Sequence, residues 1–238
     1  WTYRIRKDKD GKIALFSPLI LSAVPLFFLD VRSSEAEMVL GFFILSASYF
    51  FWKSSVEENT RQKNLLWAYL FVSGGILTKG PLALLMPLLP YIVIRRKRFL
   101  KEWKWHVSGF IIGVLPIGLW VLASYIYYPE SIDIFIKELF VKRFGGEAKH
   151  AEPVYYYILL MAGQFIIFLP FIIPACRAVY KKEQPGTYSF YFILLNFIWL
   201  SLMSSKQDHY LIPLFPHLGI ILGLWLGNQD SWKWINTY

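Results

Sequence analysis

Ile76-Leu77-Thr78-Lys79-Gly80-Pro81-Leu82-Ala83 sits inside the apolar block Leu65–Ile94, and its reading decides the fold. Read through, the block is one long kinked helix. Read as a break, Lys79 closes one helix, Gly80 supplies a turn and Pro81 suits the first turn of the next. Basic residues separate the two readings. With two spans, segments 1–12, 53–64, 95–106, 177–187 and 227–238 share one side of the membrane and carry 18 Lys and Arg. The other side carries 7: Arg32, Lys79, Lys137, Lys142, Arg143, Lys149 and Lys206. With a single span, Arg95-Arg96-Lys97-Arg98 falls opposite the basic N-terminal segment. The positive-inside rule selects two spans.

Composition requires the membrane. The chain is 56% hydrophobic and 19% aromatic, with mean hydropathy +0.42. Its apolar residues come in blocks rather than at amphipathic spacing. The blocks are Ile13–Leu29, Met38–Trp52, Leu65–Thr78, Pro81–Ile94, Val107–Tyr128, Tyr155–Cys176, Tyr188–Met203 and Leu211–Leu226. This predicts an all-α polytopic membrane protein of about eight transmembrane helices. Several blocks fall short of the ~20 residues needed to cross ~30 Å of hydrocarbon. Flanking Trp and Tyr extend them into the interface. The formal charge of +9 raises the question of a nucleic-acid partner. Orientation accounts for 18 of the 25 cations, and no partner of that kind is expected. The lone Cys176 excludes an internal disulfide. Trp1 opens the chain without Met or a signal-peptide pattern, so residues 1–238 are expected to be a single transmembrane domain belonging to a longer protein.

Unusual polar residues gather in the loops assigned to the outer side: Asp30–Glu37, Lys79-Gly80, Pro129–Val154 and Ser204–His209. Each alone reads as a solvated loop; their shared side makes them a set. In the longest, Ile132, Phe135, Ile136, Leu139, Phe140 and Phe144 recur at helical spacing, with Asp133/Lys137 and Glu138/Lys142 as acid-first i,i+4 pairs. This predicts an amphipathic interfacial helix ended by Gly145-Gly146. Lys142, Arg143, Lys149 and His150 follow at its end, where a lipid phosphate would arrive. Glu37 precedes an apolar span and suits a helix N-terminus. Ser204-Ser205-Lys206-Gln207-Asp208-His209-Tyr210 is a compact polar break between two apolar runs, followed by Pro213 and Pro216. It reads either as a plain solvated turn or as a site for an anion. His150, His209 and the nearby carboxylates lack metal-ligand spacing, so no metal site is expected.

Several of these segments recur together in one known family. They are Ile76 to Ala83, Arg143-Phe144 with His150 and Pro153, Ser204-Ser205-Lys206 through Tyr210-Leu211-Ile212-Pro213-Leu214-Phe215-Pro216, and Arg32 with Glu37 ahead of Met38-Val39-Leu40-Gly41-Phe42-Phe43. In this order, and on one face, they resemble the GT-C membrane glycosyltransferases of the protein O-mannosyltransferase/aminoarabinose transferase (ArnT-like) superfamily. The resemblance runs from about Ile13 to Leu226. It implies a GT-C-type fold and transfer of a sugar from a polyprenyl-phosphate donor to a glycolipid such as lipid A, a protein or a cell-surface polymer. The reaction would take place on the outer face of the bacterial inner (plasma) membrane, with undecaprenyl phosphate as the bacterial carrier. No cofactor beyond the lipid-linked donor is implied, and a divalent metal is left open. The resemblance assigns the donor phosphate to Lys79, Arg143 and Lys206, and lining of the cavity to Glu37, His150 and Tyr210. It places the catalytic carboxylate in a first external loop, upstream of Trp1, so the catalytic residue is unknown in this chain. Residues 1–238 alone are expected to be inactive.

Two other readings stand beside this one. A transporter or flippase of anionic lipid-linked sugars would use the same cations, but transporters carry mid-membrane ionisable groups, broken helices or repeats. A non-catalytic scaffold explains the topology but not the pairing of cations with Pro or Gly turns.

Overall fold

The computed structural model describes residues 12–33, 36–130, 134, 152–180, 184–203 and 206–227. Among these, all regular structure is helical: α1 (Lys12–Ser22), α2 (Pro25–Ser33), α3 (Ala36–Val56), α4 (Arg61–Lys79), α5 (Leu82–Phe99), α6 (Trp103–Tyr127), α7 (Tyr156–Gln164), α8 (Leu169–Tyr180), α9 (Gln184–Leu202) and α10 (Phe215–Leu226). Short 3₁₀ segments cover Ile166–Phe168 and Asp208–Leu214.

The Leu65–Ile94 stretch is two helices. Gly80 ends α4 at φ 98°, ψ −162°, a backbone region open almost only to glycine, and its N–H closes the last turn on the Ile76 carbonyl at 2.8 Å. Side chains then show that the chain turns back. Arg61, at the start of α4, donates to Glu102 at 2.8 Å, and Arg95, near the end of α5, donates to the same carboxylate oxygen at 3.0 Å. Arg61 and Arg98 also share Glu58, at 2.9 and 2.7 Å. The two helices therefore form an antiparallel hairpin with its cations at one end and Lys79 at the other.

Helix α10 is the core. Every residue from Phe215 to Trp225 is buried. Gly219 and Gly223 let α1 approach: a Cβ on Gly219 would stand 3.2 Å from the Ser17 carbonyl oxygen, and one on Gly223 3.1 Å from the Ser17 nitrogen. Small residues four apart serve helix contact in lipid, where van der Waals packing and hydrogen bonds drive association. Helix α6 uses a narrower stripe of His106, Gly109 and Gly113 against Tyr69 of α4, and the rest of its surface is largely exposed apolar side chain. His106 is buried, its Nδ1 3.1 Å from the Tyr69 hydroxyl.

Prolines shape α5. Pro90 has no N–H, which leaves the Met86 carbonyl without its helical donor. Asn196 of α9 supplies one at 3.0 Å, and the Tyr188 hydroxyl donates to the neighbouring Pro87 carbonyl at 2.6 Å. His217 stacks on Phe192 with ring centroids 3.7 Å apart, its Nδ1 3.2 Å from the Ser189 hydroxyl.

Two expected straight spans are bent. The Ile13–Leu29 block divides at Ala23–Val24, where α1 and α2 meet at 81°, and the Tyr155–Cys176 block divides at Phe165 with a bend of 82°. Pro25 disfavours helical geometry at Val24, and Pro170 removes a donor from the first turn of α8. The two breaks are joined: Gln164 Oε1 accepts the Leu26 N–H, an orphan donor of the first turn of α2, at 2.7 Å.

By length and composition, three described stretches can each cross a membrane: Ala36–Val56, Trp103–Tyr127 and Asp208–Leu226. The count is five if each bent pair is one span. The interfacial helix expected over Ile132–Phe144 lies outside the described residues except for Ile134.

Candidate functional site

Helix polarity assembles the site. Helices α3 and α4 are antiparallel neighbours, so the N-terminus of one lies beside the C-terminus of the other. An acid is favoured at the first position and a cation at the second. Glu37 occupies the first turn of α3 and Lys79 the last turn of α4, and the two form an ion pair. Glu37 is buried, with 5% of its surface exposed.

The polar break before α10 completes the cluster. Its 3₁₀ segment brings His209 Nε2 to 3.2 Å from Glu37 Oε1, while Nδ1 faces the exposed Asp208 at 3.6 Å. Tyr210 stands edge-on to the His209 ring, with centroids 5.0 Å apart. Glu37, Lys79, His209 and Tyr210 line one recess, whose apolar wall is Leu40, Leu82, Met86, Leu200 and Pro213. This is a charged cluster backed by a low-dielectric wall, where the Lys79–Glu37 attraction is stronger than in water.

Lys206 takes a different position. It is 4% exposed and does not line the recess. Its Nζ donates to the Met203 carbonyl at 2.6 Å and to the Glu152 carbonyl at 3.0 Å. An ammonium has three donors, and these carbonyls take two. Arg143 and His150 lie outside the described residues. Of the residues singled out in the sequence, the structure thus brings Glu37, Lys79 and Tyr210 together. His209, left unassigned in the sequence, sits at their centre. Its signal was adjacency to Tyr210 in the polar break, but nothing in the spacing tied it to Glu37. Among the described residues, no group of three or more His, Cys, Asp or Glu gathers as a metal-holding set.

A family profile described as dolichyl-phosphate-mannose-protein mannosyltransferase matches residues 2–120, half of the chain. The chain belongs to this mannosyltransferase family. The match takes in Glu37 and Lys79. Similarity to curated proteins runs further along the chain. An uncharacterized protein of Aquifex aeolicus is 31% identical over 98% of this chain and 47% of its own length. An undecaprenyl phosphate-alpha-4-amino-4-deoxy-L-arabinose arabinosyl transferase of Pseudomonas fluorescens is 24% identical over 90% of this chain and 40% of its own. The chain therefore spans somewhat less than half the length of these relatives. Its fold is that of ArnT from Cupriavidus metallidurans, crystallised with undecaprenyl phosphate: TM-score 0.81 at 20% identity, over 98% of this chain and 44% of that one. The apo crystal structure of the same protein gives TM-score 0.80. This member of the mannosyltransferase family thus has the GT-C, ArnT-like membrane fold.

Proposed function

We propose that this chain carries donor-site elements of a polyprenyl-phosphate-dependent glycosyltransferase. The enzyme moves a sugar from the lipid-linked donor to an acceptor on the outer face of the inner membrane, in a domain of eight spans. The observation that carries the reading is the Lys79–Glu37–His209 cluster in a recess at the end of the bundle opposite the Arg61–Arg95–Arg98 end. The cation-rich end faces the cytoplasm by the positive-inside rule, so the recess faces outward. Family membership and similarity to an undecaprenyl-phosphate-linked arabinosyl transferase supply the reaction class.

The leaving group of such a transfer is a lipid phosphate. Cations fixed where its charge develops lower the barrier, and cations already held in place need little reorganisation. Glu37 pairs with Lys79 and holds it at the recess. Arg143 supplies a fork suited to two phosphate oxygens, and Lys206 the third N–H of its ammonium. Tyr210 forms the wall, with His150 joining it from the long loop. We assign no general base to Glu37, because Lys79 and His209 both engage it. The acceptor is a glycolipid, protein or cell-surface polymer.

Titration of the full-length protein in nanodiscs with polyprenyl phosphate tests the donor site. The wild type is expected to gain thermal stability with ligand concentration, and Lys79→Ala and Arg143→Ala to lose most of that gain. Equal stabilisation of the wild type and both variants contradicts the phosphate roles. Transbilayer movement of a lipid-linked sugar without bond cleavage would indicate a flippase instead.

A further inference from the structure

The segment that carries His209 and Tyr210 does not hold itself in place. It is a 3₁₀ turn, whose hydrogen bonds are poorer than those of an α-helix, and Pro213 within it offers no N–H. Its approach strand at Lys206 and Gln207 is not helical. The register of His209 against Glu37 must come from outside the segment.

We propose that Tyr157 is the positioning residue that sets it. Tyr157 is wholly buried in the first turn of α7. Its hydroxyl donates to the Gln207 carbonyl at 3.0 Å and accepts the Gln207 N–H at 3.1 Å. One side-chain oxygen thereby satisfies both backbone groups of a single residue, as a neighbouring strand would. A slip of one residue breaks both bonds. The second fastening is Lys206, whose ammonium joins the Glu152 and Met203 carbonyls. Tyr157 and the Glu152 carbonyl that Lys206 engages both belong to the stretch 152–157, which leads into α7 and forms its first residues. From Gln207, two residues lead to His209, so a fixed Gln207 fixes the imidazole 3.2 Å from Glu37. Neither neighbour of the same kind does this work: Tyr155 is exposed, and Tyr156 packs on the Tyr157 ring at 5.3 Å.

The kinetic arm of the test rests on the transferase reading; a second arm does not. In the full-length protein, Tyr157→Phe keeps the ring and removes only the two bonds. It is expected to lower kcat about tenfold, the equivalent of one to two net hydrogen bonds, with the KM for donor changed less than about twofold. In a His209→Ala background the same substitution is expected to change kcat less than about twofold, because its effect passes through His209. Equal losses in both backgrounds, or a loss that only follows the folded fraction, overturn the proposal. The second arm places cysteines at Glu37 and His209 in a full-length protein from which all native cysteines, Cys176 included, have been replaced by serine, and measures cross-linking by a short bifunctional thiol reagent. Tyr157→Phe is expected to cut the yield several-fold; an unchanged yield overturns the proposal. If the wild type transfers no sugar while the cross-link still depends on Tyr157, the transferase reading fails and the positioning role stands.

Discussion

Gly80 and Lys79 are adjacent in sequence and do opposite things. Gly80 adopts a backbone that an L side chain rarely enters, so Gly80→Ala is expected to cost about 1–3 kcal/mol, read as a lower melting temperature in detergent. Lys79 compensates a carboxylate that is almost wholly buried. Lys79→Ala strands that charge and is expected to destabilise the fold by about 3 kcal/mol, while Lys79→Ala with Glu37→Gln recovers much of the loss. A double variant no more stable than Lys79→Ala would show that the pair contributes no mutual compensation. Polar boundaries of apolar runs marked Glu37, Lys79 and Tyr210 in the sequence, only the family resemblance grouped them as a site, and the structure places the three around one recess. His209 was not grouped with them, since its relation to Glu37 arises only when the 3₁₀ segment lies across the start of α3. Lys206 showed the reverse limit: a lysine near a proposed phosphate site is largely engaged by two carbonyls, which no spacing rule reports.

Helices follow the same division. Hydropathy located the apolar blocks, and the turn at Gly80 followed from charge and backbone chemistry. The bends at Ala23–Val24 and Phe165 escaped that reading, because hydrophobicity is blind to direction and the contact that joins them is a single glutamine, Gln164. The proline pattern of α5 makes its own prediction. Asn196→Leu orphans the Met86 carbonyl and is expected to cost about 1–3 kcal/mol, whereas in a Pro90→Ala background the helix supplies its own donor and the cost falls. Equal costs in the two backgrounds would mean that Asn196 does not replace the missing bond. Gly113→Leu probes the seat of α6. Its Cβ alone would lie 2.8 Å from the Tyr69 carbonyl oxygen, so a loss of about 1–3 kcal/mol is expected from unfolding in mixed micelles.

At the scale of the molecule, charge divides the bundle into two ends with different tasks. The cation-rich end is a clamp. Hydrogen bonds from Arg61 and then Arg98 hold the Glu58 carboxyl below its usual range, and a hydrogen bond from Thr60 does the same for Glu57. A carboxyl lowered in the folded state contributes stability above its unfolded pKa and loses it as pH falls through the folded value. Melting temperature is therefore expected to decline on acidification below the usual carboxylate range, and Glu58→Gln to flatten part of that decline. The same acid limb in wild type and variant would remove Glu58 from the clamp. The opposite end holds the candidate site. The most direct measurement follows radiolabelled sugar from a polyprenyl-phosphate donor in the full-length protein, wild type against Lys79→Ala, each normalised to folded protein. Transfer of label to an acceptor is expected from the wild type, with a fall of about 100-fold in the variant. Undiminished transfer by Lys79→Ala, or no release of label from any polyprenyl-phosphate sugar by the wild type, would contradict the donor-site reading.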